Sequence, residues 1–398
     1  MGSMAGNQSA TMWFNPRVLR WAREWRSRAV EDAARKVQKR PEDILAWERG
    51  GGVPTVVQAR TLMGFYDRSF VELFLPDPPR IAGPSAIPDF RMHRDVAPPT
   101  DQWELQDIQR WAEAKRGNAL DLYEELGADV PPFPDRLRAN VSDDPEQKAA
   151  LVREVLSFPI HDQIRMTKRD AETLPARLRA LVEGLGVMTL RRSELKKLKV
   201  RGICIAVFPL PIVVFTAEAP TAQAFSLMHE FGHVMLKTSG ITGTTTSSSY
   251  VDPVERWSNA FAGSFLMPAE QVIAMIGGRP AQPHESIDDE ELARIAAIFR
   301  VSAHAMLVRL VHLGFVREGY YWDTKKPAFD QEERDHTSFA RSSYYGSRYR
   351  STHGDLYTAL VLNAWNSGAV TNHNAAEFLG IKNLTHLYDI RAHFGAEK

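Results

Sequence analysis

Residues 224–236 read AFSLMHEFGHVML, and His229 to His233 within them form the pattern HExxH. The apolar residues around this pattern predict a helix from about Thr221 to Lys237. Residues i and i+4 lie one above the other on a helix, so both imidazoles can reach one metal ion. Glu230 lies beside them and can accept a proton from water at that ion. Zinc suits this site best, because it binds neutral imidazole and tolerates tetrahedral geometry.

Taken alone, the HExxH pattern is a weak signal, because three defined residues also arise by chance in unrelated chains. The competing interpretation is an amphipathic helix whose two histidines are solvated. The rest of this helix is apolar, however, with Phe225, Met228, Phe231 and Met235 around the histidines. Histidines within so apolar an element favour the metal site over the solvated alternative.

A catalytic zinc site needs a third protein ligand, and Glu255 is the best candidate. A helix is predicted at Pro253–Leu266, and the loop before it is long enough for an antiparallel return. Asn259 shares a helix face with Glu255 and could orient a ligand. Asp252 and Glu270 are the alternative third ligands. Glu255 is preferred because it occupies a helical position that is followed by apolar packing residues.

Three short β-rich segments precede the HExxH helix, at Gly186–Leu190, Arg201–Phe208 and Ile212–Thr216. They predict a small sheet of three strands. The strand at Ile212–Thr216 could hold a substrate in an extended form by β-addition.

Three stretches resemble the ImmA/IrrE family of metallopeptidases: residues 224–236, residues 255–262 (ERWSNAFA) and residues 265–268 (FLMP). The strands that contain Arg201-Gly202 and residues 212–214 (IVV) also resemble that family. The resemblance extends over about residues 175–315, and the last 75 or so residues match weakly at best.

This resemblance implies a zincin-like core in which His229, His233 and Glu255 bind zinc and Glu230 is the catalytic base. It also implies that the protein is an endopeptidase. The expected substrate is a DNA-binding transcriptional repressor, cut within a stress-response or mobile-element regulatory system.

Residues 14–75 are predicted to form five consecutive short helices, the first opened by Asn15-Pro16. The size and pattern are those of a helix-turn-helix domain, and the segment resembles the XRE type. Such a domain would bind DNA. The start of its reading helix, Pro41-Glu42-Asp43, instead places two carboxylates where phosphates would lie. The alternative is a helical domain that docks a protein or inhibits the peptidase.

The sequence divides into four parts. Residues 14–75 form the XRE-like domain, and residues 76–100 form a proline-rich linker. Residues 101–316 form the zinc peptidase domain, with a core at about 175–275 and a supporting helix-turn-helix-like pair at 289–313. Residues 317–398 form a helical C-terminal region of unknown role. The expected fold class is α+β and mostly helical.

Composition excludes several classes of protein. Hydrophobic residues make up 44% of the chain and charged residues 25%, which is typical of a globular protein. The 49 basic residues equal the 49 acidic ones, so no global charge recruits nucleic acid or a membrane. Cys204 is the single cysteine, which excludes an intramolecular disulfide and fits a reducing cytoplasm. No apolar run reaches about 18 residues, so no membrane span is expected.

Two features of the site stay open on the sequence alone. The Thr/Ser/Gly-rich stretch Thr238–Ser249 could be a flap over the cleft or a surface loop. The oxyanion-stabilising group could be any of five side chains: Tyr250, His284, Tyr320, Tyr321 and His336.

The main alternative function is a DNA-binding transcriptional regulator whose metal site is structural or vestigial. Glu230 favours the enzyme, because a purely structural zinc site has no need of a non-ligand glutamate at that position.

Overall fold

The computed structural model describes residues 14–26, 28–79, 102–167, 172–198, 200–216, 219–243, 252–335 and 345–395. These residues divide into two compact units, 14–79 with 102–111, and 112–395. The predicted linker at 76–100 falls mostly outside the described residues, as do Tyr250, His336 and the end of the Thr/Ser/Gly-rich stretch.

The first unit contains a bundle of short helices, as the sequence predicts. Its elements are α1 (Pro16–Trp25), α2 (Val30–Lys36), α3 (Pro41–Glu48), α4 (Val56–Phe65) and a 3-10 turn at Phe70–Phe74. Caps fix their starts: Asn15 Oδ1 accepts from Arg17 N at 3.0 Å, and Thr55 exchanges hydrogen bonds with Gln58. The assignment of this bundle to the XRE type remains a prediction.

The two carboxylates at the start of α3 differ in their surroundings. Asp43 accepts a hydrogen bond from Arg40 N at 3.0 Å and so caps its own helix. Glu42 is exposed. One of the two carboxylates expected to repel DNA, that of Asp43, therefore forms a hydrogen bond within its own helix.

The second unit is mainly helical. Helix α5 (Gln102–Glu125) begins in the first unit and ends in the second. The elements before the HExxH helix are α6 (Pro145–Val155), α7 (Ile160–Arg165), α8 (Leu174–Glu183) and two 3-10 turns, Asp135–Leu137 and Ser193–Lys196. After them come α9 (Pro220–Met235), α10 (Pro253–Leu266), α11 (Ala269–Ile276), α12 (Asp289–Phe299) and α13 (Ala303–His312). A π-helical turn at Tyr320–Lys325 leads into α14 (Lys326–Asp335), α15 (Tyr345–Asn366), α16 (Asn372–Phe378) and α17 (Thr385–Gly395).

A four-stranded sheet lies among these helices, in the order β1-β3-β2-β4. The strands are β1 (Met188–Arg191), β2 (Val200–Ile205), β3 (Ile212–Phe215) and β4 (Gly240–Gly243). The expected three strands are present, but β4 was missed, because its Gly-Ile-Thr-Gly sequence has weak strand propensity. It occupies the start of the stretch predicted to be a flap or surface loop.

The expected role of Ile212–Thr216 in β-addition is wrong. Strand β3 is central: it pairs in parallel with β1 and antiparallel with β2. Both of its edges are therefore occupied. Strand β4 is an edge strand, antiparallel to β2, with Gly202 opposite Thr242.

The C-terminal helices belong to the second unit, where α15 packs against β1 and α8. The buried Glu183 carboxylate accepts hydrogen bonds from Asp355 N at 2.7 Å and Leu356 N at 2.8 Å. Helix α15 breaks at Gly354, whose φ of 79° favours glycine. A Cβ at Gly354 would also lie 3.0 Å from Cδ of Glu183. This glycine lets the helix approach the sheet edge.

In the described part of the chain, no single helix is long and apolar enough to cross a membrane, although α12 and α13, bent by 96°, pass that test as a pair.

Candidate metal centre

Helix α9 places His229, Glu230 and His233 in the protein interior. Their exposed fractions are 3%, 0% and 0%. Pro220 at the start favours helix initiation, and α9 packs against β2, β3, α8 and α10. Apolar neighbours on the same helix, such as Phe231 and Met235, are fully buried as well. The histidines are thus in the core, as the apolar neighbours predict.

Helix α10 brings Glu255 to the two histidines. Asp252 is its N-cap: the Oδ1 atom accepts from Val254 N at 2.8 Å and Glu255 N at 3.2 Å. Glu255 lies in the first turn and is 2% exposed. Of the two alternative ligands, Asp252 is thus engaged as a cap, and Glu270 is exposed on α11.

The three side chains converge within hydrogen-bond distance. His229 Nε2 and His233 Nε2 are 3.1 Å apart. Glu255 Oε1 lies 3.0 Å from His233 Nε2, and Glu255 Oε2 lies 3.5 Å from His229 Nε2. One potential ligand atom from each residue falls within 4.8 Å of the other two. Two imidazole nitrogens and one carboxylate oxygen are a donor set that fits a metal ion such as zinc.

Close packing of α9 against α10 depends on Gly232, the fourth residue of the HExxH pattern. A Cβ at this position would lie 3.3 Å from Ser258 Cα and 3.3 Å from Phe261 Cδ1. Both atoms belong to α10. A larger residue at position 232 would push the helices apart and draw Glu255 away from the histidines.

Asn259 contacts His229, as its position on the Glu255 face predicts. Its Oδ1 atom lies 3.0 Å from His229 Nδ1. Because an amide oxygen is only an acceptor, His229 donates from Nδ1, and its Nε2 lone pair is left for a metal.

Glu230 lies against the sheet at Gly202 of β2. A Cβ at Gly202 would lie 2.6 Å from Cγ of Glu230 and still closer to the carboxylate. The absence of a side chain at this strand position therefore makes room for the glutamate. Both Glu230 oxygens are buried without a hydrogen bond of good geometry. A carboxylate in such a place is available to accept a proton.

Burial and neighbouring charges change the acidities of the three charged groups. Burial raises the pKa of Glu230 and the Glu255 carboxylate adds to this, although the two histidines and Thr242 oppose it. Burial alone would raise the pKa of Glu255, but His229 and His233 outweigh that effect and lower it. Burial would lower the pKa of His229, but the contacts with Glu255 raise it. Glu255 is thus kept ionised, while Glu230 is made the stronger base.

Thr242 is a site residue that the sequence did not reveal. It lies on β4, is mostly buried, and its Oγ1 is 3.4 Å from His229 Nε2. Nothing in a Gly- and Thr-rich stretch distinguishes this threonine from its neighbours. Only the pairing of β4 with β2 brings it to the centre.

Three of the five candidates for the oxyanion-stabilising group lie within the described residues, and each has contacts of its own. The Tyr320 hydroxyl donates to Ile287 O at 3.2 Å, and the buried Tyr321 hydroxyl pairs with His304 Nε2 at 2.9 Å. Both hydroxyls therefore have structural contacts. His284 is exposed and forms a backbone bridge with Val316.

Comparison with known proteins identifies the region that contains this centre. No curated protein and no solved structure gives a significant match. Residues 185–311 match the family model of the M78 peptidases, described as the IrrE N-terminal-like domain. These residues carry β1 to β4 and all members of the His229–His233–Glu255 cluster. The match supports a metallopeptidase-type domain of the ImmA/IrrE kind within residues 185–311.

Proposed function

We propose that this protein is a zinc-dependent endopeptidase that cleaves a protein partner. The observation that carries the proposal is the buried cluster of His229, His233 and Glu255 with Glu230 beside it. Three protein donors leave a fourth position for water or substrate, as catalytic zinc sites require. The two imidazoles and one carboxylate favour zinc over magnesium or calcium, which prefer oxygen ligands.

Bound zinc would supply the Lewis acidity that polarises a peptide carbonyl and makes water a better nucleophile. Glu230 would take the proton from the attacking water and deliver it to the leaving amine. Glu230 is fully buried on the helix that carries both histidines, which suits this role. Asn259 would fix the His229 ring so that Nε2 faces the ion.

Strand β4 offers a place for an extended substrate. It pairs with β2 on one side, and no strand among the described residues pairs with its other side. A peptide that adds to this edge by backbone hydrogen bonds would run past Thr242, which lies against His229. The edge strand thus favours a polypeptide substrate over a small molecule.

The substrate we propose is a DNA-binding transcriptional repressor, in a stress-response or mobile-element regulatory system. The support is the similarity of residues 185–311 to the IrrE N-terminal-like domain. The test is to incubate the purified, zinc-loaded protein with the repressor-like protein encoded beside its gene. The expected result is discrete fragments from a single cut, seen by gel electrophoresis and located by mass spectrometry.

Two controls give this test its meaning. Glu230→Gln keeps the size of the side chain and removes the base, so it should retain zinc and lose cleavage by roughly 100-fold or more. Removal of the metal with a chelator should abolish cleavage, and added zinc should restore it. Cleavage by Glu230→Gln close to the parent rate would show that the mechanism is wrong.

DNA binding through residues 14–75 is a second candidate activity. Arg40 lies 3.7 Å from the Asp43 carboxylate, so a cation partly offsets one of the two negative charges at the start of α3, while Glu42 is exposed. In this alternative the protein is a transcriptional regulator whose metal site is structural or vestigial. A gel-shift titration against the neighbouring promoter at several salt concentrations tests it.

A further inference from the structure

The C-terminal end of α10 is held by side chains from three other helices. Three side chains donate hydrogen bonds to three successive backbone carbonyls there: Arg153 on α6, Gln163 on α7 and Arg309 on α13. We call these three residues the α10 clamp. The bonds run from Arg153 Nε to Phe265 O at 2.7 Å, Gln163 Nε2 to Leu266 O at 2.9 Å and Arg309 Nε to Met267 O at 2.9 Å. The last carbonyls of a helix have no partner within the helix, and here buried donors satisfy them.

The clamp residues are in the interior, with exposed fractions of 7%, 0% and 5%. Arg153 also donates to Phe158 O at 2.8 Å and to Gln163 Oε1 at 2.6 Å, both neutral oxygens. Burial lowers the pKa of Arg153 to about 9. A buried cation is costly, and the negative end of the α10 dipole offsets part of that cost.

Arg309 reaches α10 in two ways. Besides its bond to Met267 O, it forms an ion pair with Glu146 on α6. The same Glu146 carboxylate accepts a hydrogen bond from Ser264 Oγ on α10 at 2.7 Å. The last turn of α10 is therefore tied to α6 and α13 through both its backbone and a side chain.

These ties matter because Glu255 lies at the other end of the same helix. The Asp252 cap bonds to residues of α10 itself, so it does not fix α10 relative to α9. The contact at Gly232 sets the separation of the two helices. Trp257 Nε1, which donates to Asp143 O at 2.8 Å, and Asn259, which contacts His229, hold the first half of α10, and the clamp holds its last turn. A slip of one residue would move Glu255 by about 1.5 Å, whereas metal–ligand distances tolerate about 0.2 Å.

We propose that Arg153 and Arg309 are positioning residues that hold the Glu255 carboxylate in register with His229 and His233. The inference rests on the proposed metal site. It also gives the α12–α13 pair a role: Arg309 belongs to α13, and Gln163 Nε2 bonds Phe299 O at the end of α12 as well as α10. Loss of a guanidinium fork would loosen the register of α10 and weaken metal binding.

The test measures zinc binding by the full chain carrying Arg153→Met or Arg309→Met, by competition with a chromophoric chelator. The visible absorption of the cobalt-substituted protein reports the geometry of the ligands. We expect roughly 10-fold weaker zinc binding and an altered cobalt spectrum, the scale seen when groups behind a metal ligand are removed. Arg153→Lys and Arg309→Lys, which keep the charge but lose the fork, should also fall below the parent.

The matched control is Arg116→Met. Arg116 also donates to two carbonyls, those of Leu210 and Pro209, but these lie between β2 and β3, away from α10. It should leave zinc affinity unchanged. Clamp variants that fold less stably but keep the zinc affinity and cobalt spectrum of the parent would overturn the proposal.

If the methionine variants do not fold, the lysine variants decide in the same way, and parental zinc affinity in them overturns the proposal. A parent protein that binds no zinc would instead contradict the proposed metal site.

Discussion

Replacing Gly202 with alanine tests whether the position of Glu230 controls catalysis. The new Cβ would lie 2.6 Å from Glu230 Cγ, whereas ordinary van der Waals contacts begin at 3.4 Å. Gly202 is held between Phe215 of β3 and Thr242 of β4, so the strand resists movement on both sides. The Glu230 side chain must therefore move, by about 0.8 Å or more.

This displacement sets the expected magnitude. A misplacement of about 1 Å in a catalytic group can cost roughly 100-fold in rate, and complete loss of a general base costs about 100- to 10,000-fold. We expect Gly202→Ala to reduce the single-turnover rate of repressor cleavage by about 100-fold. Zinc content should stay at the parent level, because the clash does not involve a ligand side chain.

The measurement combines the cleavage rate, the zinc content and the thermal unfolding temperature. The control is Gly117→Ala, since a Cβ at this position of α5 meets nothing within 4 Å. It should leave the cleavage rate and the zinc content at the parent level and raise the unfolding temperature slightly, because alanine favours a helix interior over glycine. A Gly202→Ala protein that is folded and zinc-loaded and cleaves within twofold of the parent rate would refute the reasoning.

Three further predictions concern the ligands, the C-terminal helices and the first unit. His229→Ala and Glu255→Ala should each lose most of the bound zinc in metal analysis, and stoichiometric zinc in Glu255→Ala would exclude that residue as a ligand. Gly354→Ala should destabilise the protein by about 1–3 kcal/mol more than Gly368→Ala in denaturant unfolding. Both glycines have φ of 79°, but a Cβ meets neighbouring atoms only at the first, so equal effects would mean that the contact with α15 is unimportant. Removal of residues 1–75 should change repressor cleavage more than DNA affinity. Nanomolar, salt-sensitive promoter binding that disappears on truncation, with cleavage untouched, would contradict this.

The helices were predictable because their ends carry strong local signals. Asn15-Pro16, Thr55 with Gln58, and Pro253 start helices through caps and through the fixed φ of proline. Helical periodicity likewise places Glu255 and Asn259 on one face of their helix. Such signals lie within a few residues of each other and need no tertiary information.

The features that sequence reasoning missed depend on contacts between distant segments. Strand order cannot be read from β propensity, so β3 could not be recognised as the central strand. The role of Gly202 becomes visible only when Glu230, from another element, is placed against it. Thr242 reaches the centre through the pairing of β4 with β2, which its own sequence barely favours.

The attachment of α15 to the edge of the sheet has a practical consequence for dividing the protein. A fragment limited to residues 185–311 would lose α15, whose buried Tyr357 and Val361 belong to the same compact unit. It would also lose α6, which packs against α10 and carries Arg153. Without these helices, β1 and one side of α10 would be exposed to water. The apolar surface that they bury in the full chain would no longer stabilise the fold. We therefore expect the smallest piece that folds on its own to extend well beyond residues 185–311 on both sides.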